Sequence, residues 1–460
     1  MNATSFFDAD LVRRYDRVGP RYTSYPTAVQ FNPNYGAGEY RRCSLLSNAE
    51  QGKPLSIYVH VPFCASPCFY CGCTKIVTRN PQHAAAYMRR LRREIALQGA
   101  LFDRRRVVEQ LHFGGGTPTY FSIAELGVLF DEMREHFHLD DSDQREFSIE
   151  IDPRTVAPET FPGLAMLGFN RISLGVQDFD PEVQRAVNRH QSVQMVEDCL
   201  LQARAAGFRS VSFDLIYGLP KQTLKGFTRT LDTVIELRPD RVAVYGYAHM
   251  PSKFKAQRAI ASDDLPDAEA RLQLLETTVE RLTAAGYQHI GMDHFALPED
   301  ELCTAQAQGH LHRNFQGYST RAECDLVGLG VSSIGQVGNA YAQNFKELSQ
   351  YYAALDEDRL PIERGIALST DDLLRREVIQ QLMCHGKLDG SSIGARYSLD
   401  FRTYFAKELR ELEALQQDGL VVIDGETVTI TERGRFLLRT IAMPFDAYLP
   451  QTAGKHSRVI

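Results

Sequence analysis

The chain has 460 residues, 43% hydrophobic and 24% charged, with 58 acidic against 51 basic side chains and a net charge of −7. That length exceeds one typical domain and can bury a full-sized core without disulfide or metal staples, and the acidic balance excludes a global electrostatic attraction to nucleic acid. Nine cysteines, an odd number, with no apolar run behind a basic amino terminus, exclude a disulfide framework and predict a soluble protein of the reducing cytoplasm. No apolar run reaches the length of a membrane span.

Residues 1–54 show no clear strand but carry Arg13, Arg14, Tyr15, Arg17, Arg21, Tyr22 and Tyr25. This stretch reads either as a solvated helix face or as an extension that caps an active site. Between 55 and 300, short β-branched runs alternate with helical periods, the pattern of βα units around a parallel sheet. Strands are predicted at 56–61, 109–113, 146–151, 171–176, 210–215, 241–246 and 287–292. Helices are predicted at 84–101, 123–137, 193–206, 224–237 and 268–285, with Gly99, Gly207 and Gly286 as left-handed caps. Residues 300–345 form a Gly- and polar-rich connection, and loops of that length are usually functional or disordered, so 301–368 are expected as connecting elements that complete the active site. From 369, helices at 371–383 and 405–417, a hairpin-like pair joined through Asp424-Gly425 and a last helix near 433–441 predict a winged-helix-like module. It has no concentrated basic recognition helix.

The expected fold class is therefore α/β: an incomplete parallel (βα)6-type barrel with an N-terminal extension and a small, mainly helical, winged-helix-like C-terminal domain. The expected segments are 1–54, 55–300, 301–368 and 369–460. In such barrels the loops after the strands build the site at the carboxyl edge of the sheet.

The first of those loops carries Cys64, Cys68, Cys71 and Cys73 within ten consecutive residues. Cys43, Cys199, Cys303, Cys324 and Cys384 are scattered in apolar or helical surroundings and read as small buried hydrophobes. The spacing C-x3-C-x2-C-x-C lacks the second paired motif that structural zinc sites use, although zinc stays open as a reading. A redox dithiol would need only two of the four. Three thiolates within eight residues can wrap one face of an iron–sulfur cubane, leaving one iron open as a catalytic metal needs.

C-x3-C-x2-C on the loop after the first strand of a βα barrel resembles the radical S-adenosylmethionine superfamily. The resemblance implies a 4Fe–4S cluster on Cys64, Cys68 and Cys71, whose open iron chelates S-adenosylmethionine. One electron then cleaves it to methionine and a 5′-deoxyadenosyl radical. By position, Tyr70 matches the aromatic residue beside the adenine, and Gly114, Gly115, Gly116 and Thr117 match the Gly-rich motif that meets the methionine moiety. Glu150 matches a carboxylate near the ribose, while Tyr58, Gln177, Arg189, Asp214, Ala248 and Ile334 match further cofactor-contacting positions. Taken singly, these residues also have plainer readings: core packing for Tyr70, a tight turn for the glycines, a surface strand for Glu150.

Longer runs, at 21–27, 58–79, 114–120, 175–179, 214–220, 291–295, 312–318 and 457–460, are similar to the family of oxygen-independent coproporphyrinogen III oxidases, also called coproporphyrinogen dehydrogenases. That similarity implies radical oxidative decarboxylation of two propionates of coproporphyrinogen III to the vinyl groups of protoporphyrinogen IX, consuming two S-adenosylmethionines per turnover. It also implies an external reductant and an electron acceptor, and a catalytic role for Cys73 beyond the three ligands. The N-terminal arginines are expected to pair with substrate propionates. A monomer without a nucleic-acid partner is expected. Two other readings stay open: a haem-binding chaperone of the same superfamily and a zinc-stabilised DNA-binding regulator.

Overall fold

The computed structural model describes residues 8–50 and 52–451, so the similarity at 457–460 lies outside the described residues. The chain divides into two compact units, one made of residues 31–267 and 323–367, the other of the remaining described residues. The boundary expected at 368 coincides with a division to within a residue, while those expected at 54 and 300 do not.

In the first unit, strands β1 (Leu55–Val61), β2 (Val107–Gly115), β3 (Glu146–Ile151), β4 (Arg171–Gln177), β5 (Ser210–Tyr217) and β6 (Arg241–Gly246) pair in parallel, each with the next. Helices such as Pro81–Gly99, Ile123–His136 and Leu224–Leu237 connect them, giving a partial parallel barrel. Alternation along each strand separates two faces. One is apolar: Leu111, Phe113 and Ile149 are fully buried, and Phe113 stacks on Phe130 at 6.0 Å and meets Phe169 edge-on at 5.4 Å. The other is a hydrogen-bonded polar ladder. Ser56 Oγ donates to Gln110 Oε1 (2.9 Å), Gln110 Nε2 to Glu146 Oε2 (3.1 Å), and Ser173 Oγ to Asp214 Oδ2 (2.7 Å). Bulky branched side chains fill the interior of a barrel that serves only as a core; this polar face is built to line a site.

The seventh expected strand does not continue the parallel series, although it is counted in the same sheet. Gln288–Gly291 belongs to the second unit, as one arm of an antiparallel hairpin with His294–Ala296. The chain reverses there through Met292, whose φ of 52° no apolar pattern reveals. The connection expected from 301 to 368 is also corrected. Asp325–Leu329 is a fully buried strand pairing in parallel with β1, followed by antiparallel strands Ile334–Val337, Ala340–Asn344 and Ile362–Ala367. Gly328 explains the misreading: a Cβ there would lie 2.8 Å from the Ile334 backbone, so the close approach demands the residue that reads as loop. Of the three expected caps, Gly207 (φ 86°) and Gly286 (φ 92°) are left-handed, but Gly99 is helical. Its Cβ would meet His136 Cβ at 2.6 Å, so it is small for packing rather than for conformation.

Asp325 anchors the strand beside β1. Its side chain and that of Arg106 are each 3% exposed and pair at 2.6 Å, with Lys53 Nζ at 3.0 Å and the Gly338 N–H at 2.9 Å. Burial pushes this carboxyl up, but Ser47, Arg106, Lys53 and Gly338 together outweigh it and hold it below the usual carboxylate range. A depressed carboxyl contributes stability above its unfolded value of about 4, lost as pH falls through the folded value. Asp325→Asn is therefore expected to cost about 3–5 kcal/mol at neutral pH, because Arg106 is left buried and uncompensated. The difference in denaturation midpoint from the parent should shrink on acidification below about pH 4.

The second unit packs Leu11, Tyr15, Tyr22 and Tyr25 into one apolar cluster with Val378, Leu382, Phe401, Phe405, Leu412 and Leu438. Its carboxy-terminal part contains helices Thr370–His385, Gly390–Tyr397 and Ala406–Gln417 and a three-stranded sheet in which Thr427–Ile430 lies between Lys387–Asp389 and Val421–Asp424. That is the winged-helix-like arrangement expected, with two helices, Gly390–Tyr397 and Phe401–Tyr404, and one strand more. The final segment is a 3-10 turn, Arg433–Leu437, running into helix Leu438–Ala442. The amino-terminal arginines hold acids of their own unit: Arg13 meets Asp10 (2.6 Å) and Glu269 (2.5 Å), Arg14 meets Asp418 (2.8 Å), and Arg21 meets Asp293 (2.7 Å). No helix among the described residues is long and apolar enough to cross a membrane.

Candidate active site

Strand ends bring the expected residues to one cavity of about 360 Å³, within the range of small-molecule sites. Its walls include Cys64, Cys68, Cys71 and Cys73 from the loop after β1, and Gly115, Gly116 and Thr117 from the end of β2. Glu150, Gln177, Asp214, Arg189 and Tyr70 complete it. Tyr58, Gly114, Ala248 and Ile334 do not line this cavity: Tyr58 lies within β1, Gly114 contacts the Glu150 carboxylate, and Ile334 opens a separate antiparallel strand. Ala248 is exposed, and its carbonyl accepts from Gln257 Nε2 at 3.2 Å.

The glycines are required by contact. At Gly115, φ is 114° and a Cβ would stand 2.7 Å from the His60 ring; at Gly116 it would stand 2.7 Å from the Phe63 carbonyl. His60 Nε2 meets the Thr74 carbonyl at 2.9 Å, so that nitrogen carries the proton and Nδ1 accepts from Tyr58 OH at 3.1 Å. Burial pushes the His60 pKa down, keeping the ring neutral. This pair ties the end of the cysteine loop to β1. Glu150 Oε2 accepts the Gly115 N–H at 3.1 Å, so one carboxylate oxygen orders the glycine turn. Gln177 follows a bulge in β4 with φ 64°, a strained conformation of the kind found at ligand sites. Burial pushes the Asp214 carboxyl up to about 7, against the hydrogen bond from Ser173.

Electrostatics centre on Cys68. Arg154 Nη2 lies 3.5 Å and Arg189 Nη1 3.6 Å from its sulfur. Both guanidinium groups are held by Asp152, with Arg154 bidentate at 2.9 and 2.6 Å and Arg189 at 3.2 and 3.3 Å. Burial pushes the Asp152 carboxyl up, but the two arginines overcome it and keep it ionised. Lys75 Nζ donates to the Cys71 carbonyl at 3.1 Å, and Thr117 Oγ1 points at Cys64 Sγ at 3.6 Å. A hydrogen bond from Cys73, and after it Lys75, push the Cys71 thiol down; the same bond pushes Cys73 up. Tyr70 packs partly against Val183, Val187, Leu219, Tyr247 and Ile260, so core packing and the cavity wall are both true of it.

These residues fit an iron–sulfur cluster. All nine cysteines are free thiols, and four of them share one cavity wall beside three cations. Soft thiolates are the donors such clusters take. The buried Arg189 Nε has no protein partner. Among the described residues, the one set of three ligand atoms drawn within 4.8 Å of each other is Glu132, Glu135 and His136 on an outer helix.

Sequence reasoning missed Asp152 and Arg154 as partners of Cys68, and His60, His112 and Lys75 as supports. Asp152-Pro153-Arg154 stood on the right rim, but only the 3-10 turn at Pro153–Thr155 folds the arginine back onto its neighbour. His112 stacks on Tyr58 at 5.8 Å through the register of β1 against β2.

Residues 58–234 match the Radical SAM superfamily and residues 368–437 match the HemN C-terminal domain. The oxygen-independent coproporphyrinogen III oxidase of Pseudomonas aeruginosa is 51% identical over 455 residues, covering 99% of this chain and 99% of that protein. The protein of the same name from Escherichia coli K12 is 48% identical over 456 residues, covering 99% and 98%. The solved structure of coproporphyrinogen III oxidase (HemN) from Escherichia coli, described as a radical SAM enzyme, superposes with a TM-score of 0.91 at 47% identity, covering 96% of this chain and 99% of that one.

Proposed function

Because the chain belongs to the oxygen-independent coproporphyrinogen III oxidase family of radical S-adenosylmethionine enzymes, we propose that the cavity at the barrel's carboxyl edge carries out the family's reaction. The chain is an oxidoreductase of porphyrin biosynthesis acting on coproporphyrinogen III, with a 4Fe–4S cluster and S-adenosylmethionine as cofactors. Bound together, those two would supply a one-electron cleavage yielding a carbon radical able to abstract hydrogen; loss of a β-hydrogen atom, then of carbon dioxide and one electron to a separate acceptor, would convert each of two propionates to a vinyl group.

The chain's own residues bind and orient. Cys64, Cys68 and Cys71 hold the cluster, and Arg154 and Arg189, fixed by Asp152, place positive charge against Cys68, one of the factors that tune such clusters. Gly115, Gly116 and Thr117 give the backbone a close approach to the methionine moiety, and Glu150 and Asp214 present carboxyl groups toward hydroxyl and ammonium groups. Tyr58, through His60, fixes the cysteine loop. Gly114 stands against Glu150; Gln177 and Tyr70 flank the adenosyl end, while Ala248, after β6, and Ile334, at the start of its strand, are outer contacts beyond the cavity's own walls. Cys73, hydrogen-bonded to Cys71, serves the reacting substrate rather than the iron. The protein works as a cytoplasmic monomer with a separate reductant and electron acceptor and no nucleic-acid partner.

The observation that carries this reading is the joint placement of Cys64, Cys68 and Cys71 with the glycine turn and Glu150 around one cavity. Coproporphyrinogen III deuterated at the propionate β-carbons tests it: deuterium should appear in 5′-deoxyadenosine. Deuterium-free 5′-deoxyadenosine formed alongside vinyl product would place the abstraction elsewhere.

A further inference from the structure

The second unit contains a cavity of about 670 Å³ that the reaction above does not use. Its size is that of a small-molecule site. One wall is the helix Thr370–His385, whose residues 377, 381 and 385 recur every fourth position and so emerge on one face beside 376 and 380. Opposite stand His312, Lys387 and Arg396.

Most polar groups on these walls already have partners. Glu377 accepts from Arg396 Nη1 at 2.7 Å and Tyr397 OH at 3.2 Å. Gln380 pairs with the Arg313 backbone, donating at 2.8 Å and accepting at 3.2 Å. Asp389 caps the helix Gly390–Tyr397 through the Ser392 N–H.

Arg376, His312 and His385 are different. Among the described residues none of their side chains makes a hydrogen bond, and no carboxylate pairs with Arg376. Arg376 Nη1 and His385 Nδ1 are shut off from solvent with no acceptor or donor. Native structures leave few buried polar atoms in that state, and each calls for an explanation. Burial, then the charge of Arg376, push the His312 pKa down to about 4, and burial lowers His385 as well, so each neutral ring offers one N–H. A guanidinium fork with the His312 N–H near it, His385 further along the same cavity and exposed Lys387 at the rim are complementary to an oxyanion.

We propose that this cavity binds a small anionic metabolite through a carboxylate or phosphate group seated on Arg376 and His312, with His385 further along the same cavity. The ligand supplies the acceptors that the protein lacks. This site is independent of the barrel cavity, so its fate and that of the reaction reading are separable.

The test is calorimetric titration of the full-length, cluster-loaded protein at constant ionic strength with inorganic phosphate, pyrophosphate and citrate. Saturable binding of one oxyanion per chain is expected, and the arm that binds more tightly distinguishes a phosphate from a carboxylate source. Arg376→Gln should weaken it about tenfold or more while turnover of coproporphyrinogen III is unchanged. His312→Gln makes the same comparison should Arg376→Gln fold poorly. Absence of saturable binding of all three probes, or equal affinity in parent and variants, would overturn the proposal.

Discussion

Serine at Cys64, Cys68 or Cys71 is expected to leave anaerobically reconstituted protein with little bound iron and turnover lowered at least about a thousandfold. A serine hydroxyl stays protonated at neutral pH and is a hard donor, so it does not replace a thiolate on iron. The three ligands act as a unit, and removing a second should add little to the loss of the first. Cys73→Ser should separate the two quantities. Cys73 is exposed and meets Cys71 rather than any further cavity sulfur, so iron and sulfide should stay at parent levels while turnover falls. Iron retained in Cys64→Ser but lost in Cys73→Ser would reassign the ligands.

Deleting residues 1–25 should unfold the second unit rather than merely open a lid. Leu11, Val12, Tyr15, Tyr22 and Tyr25 are each 7% exposed or less. At about 1.5–3 kcal/mol per buried side chain, their removal costs on the order of 10 kcal/mol, an upper figure because unfolded chains bury some apolar surface too. That is comparable to the whole stability of a domain. Truncated protein should be recovered aggregated or without a cooperative unfolding transition; a truncated chain that unfolds cooperatively at the parent midpoint would contradict the packing described. A role for the arginines in substrate binding is therefore better tested by Arg21→Gln than by truncation. Burial raises the carboxyl of its partner Asp293, yet Arg21 first among its charged neighbours outweighs that and helps keep it ionised, and Arg313 and Arg439 remain after the change.

The barrel was readable because period-2 runs with a turn residue behind each survive translation into strands: β3 and β6 begin and end where the pattern predicts, and the others extend by one to a few residues. The cysteine loop and glycine turn were readable for the same reason, since their position after a strand carries their meaning. Asp325–Leu329 was not, because a strand buried on both faces shows no alternation and its Gly328 mimics a loop. Nor was the union of residues 8–30 with the carboxy-terminal helices, because periodicity tells which face of a helix is covered and not by what. Tyr22 and Tyr25 looked like parts of an aromatic-basic surface and are instead 2% and 1% exposed. The pairing of Asp152 with Arg154 and Arg189 needed three dimensions, since residue 189 approaches from a different loop.

The thiolate cavity at the barrel edge is proposed to decarboxylate coproporphyrinogen III by radical chemistry. Anaerobic incubation of cluster-loaded protein with a reductant, S-adenosylmethionine, an electron acceptor and coproporphyrinogen III tests it most directly. The account predicts a divinyl product, with two methionines formed for each porphyrinogen consumed. Recovery of a porphyrin bearing all its propionates, with the cluster intact and S-adenosylmethionine uncleaved, would contradict it.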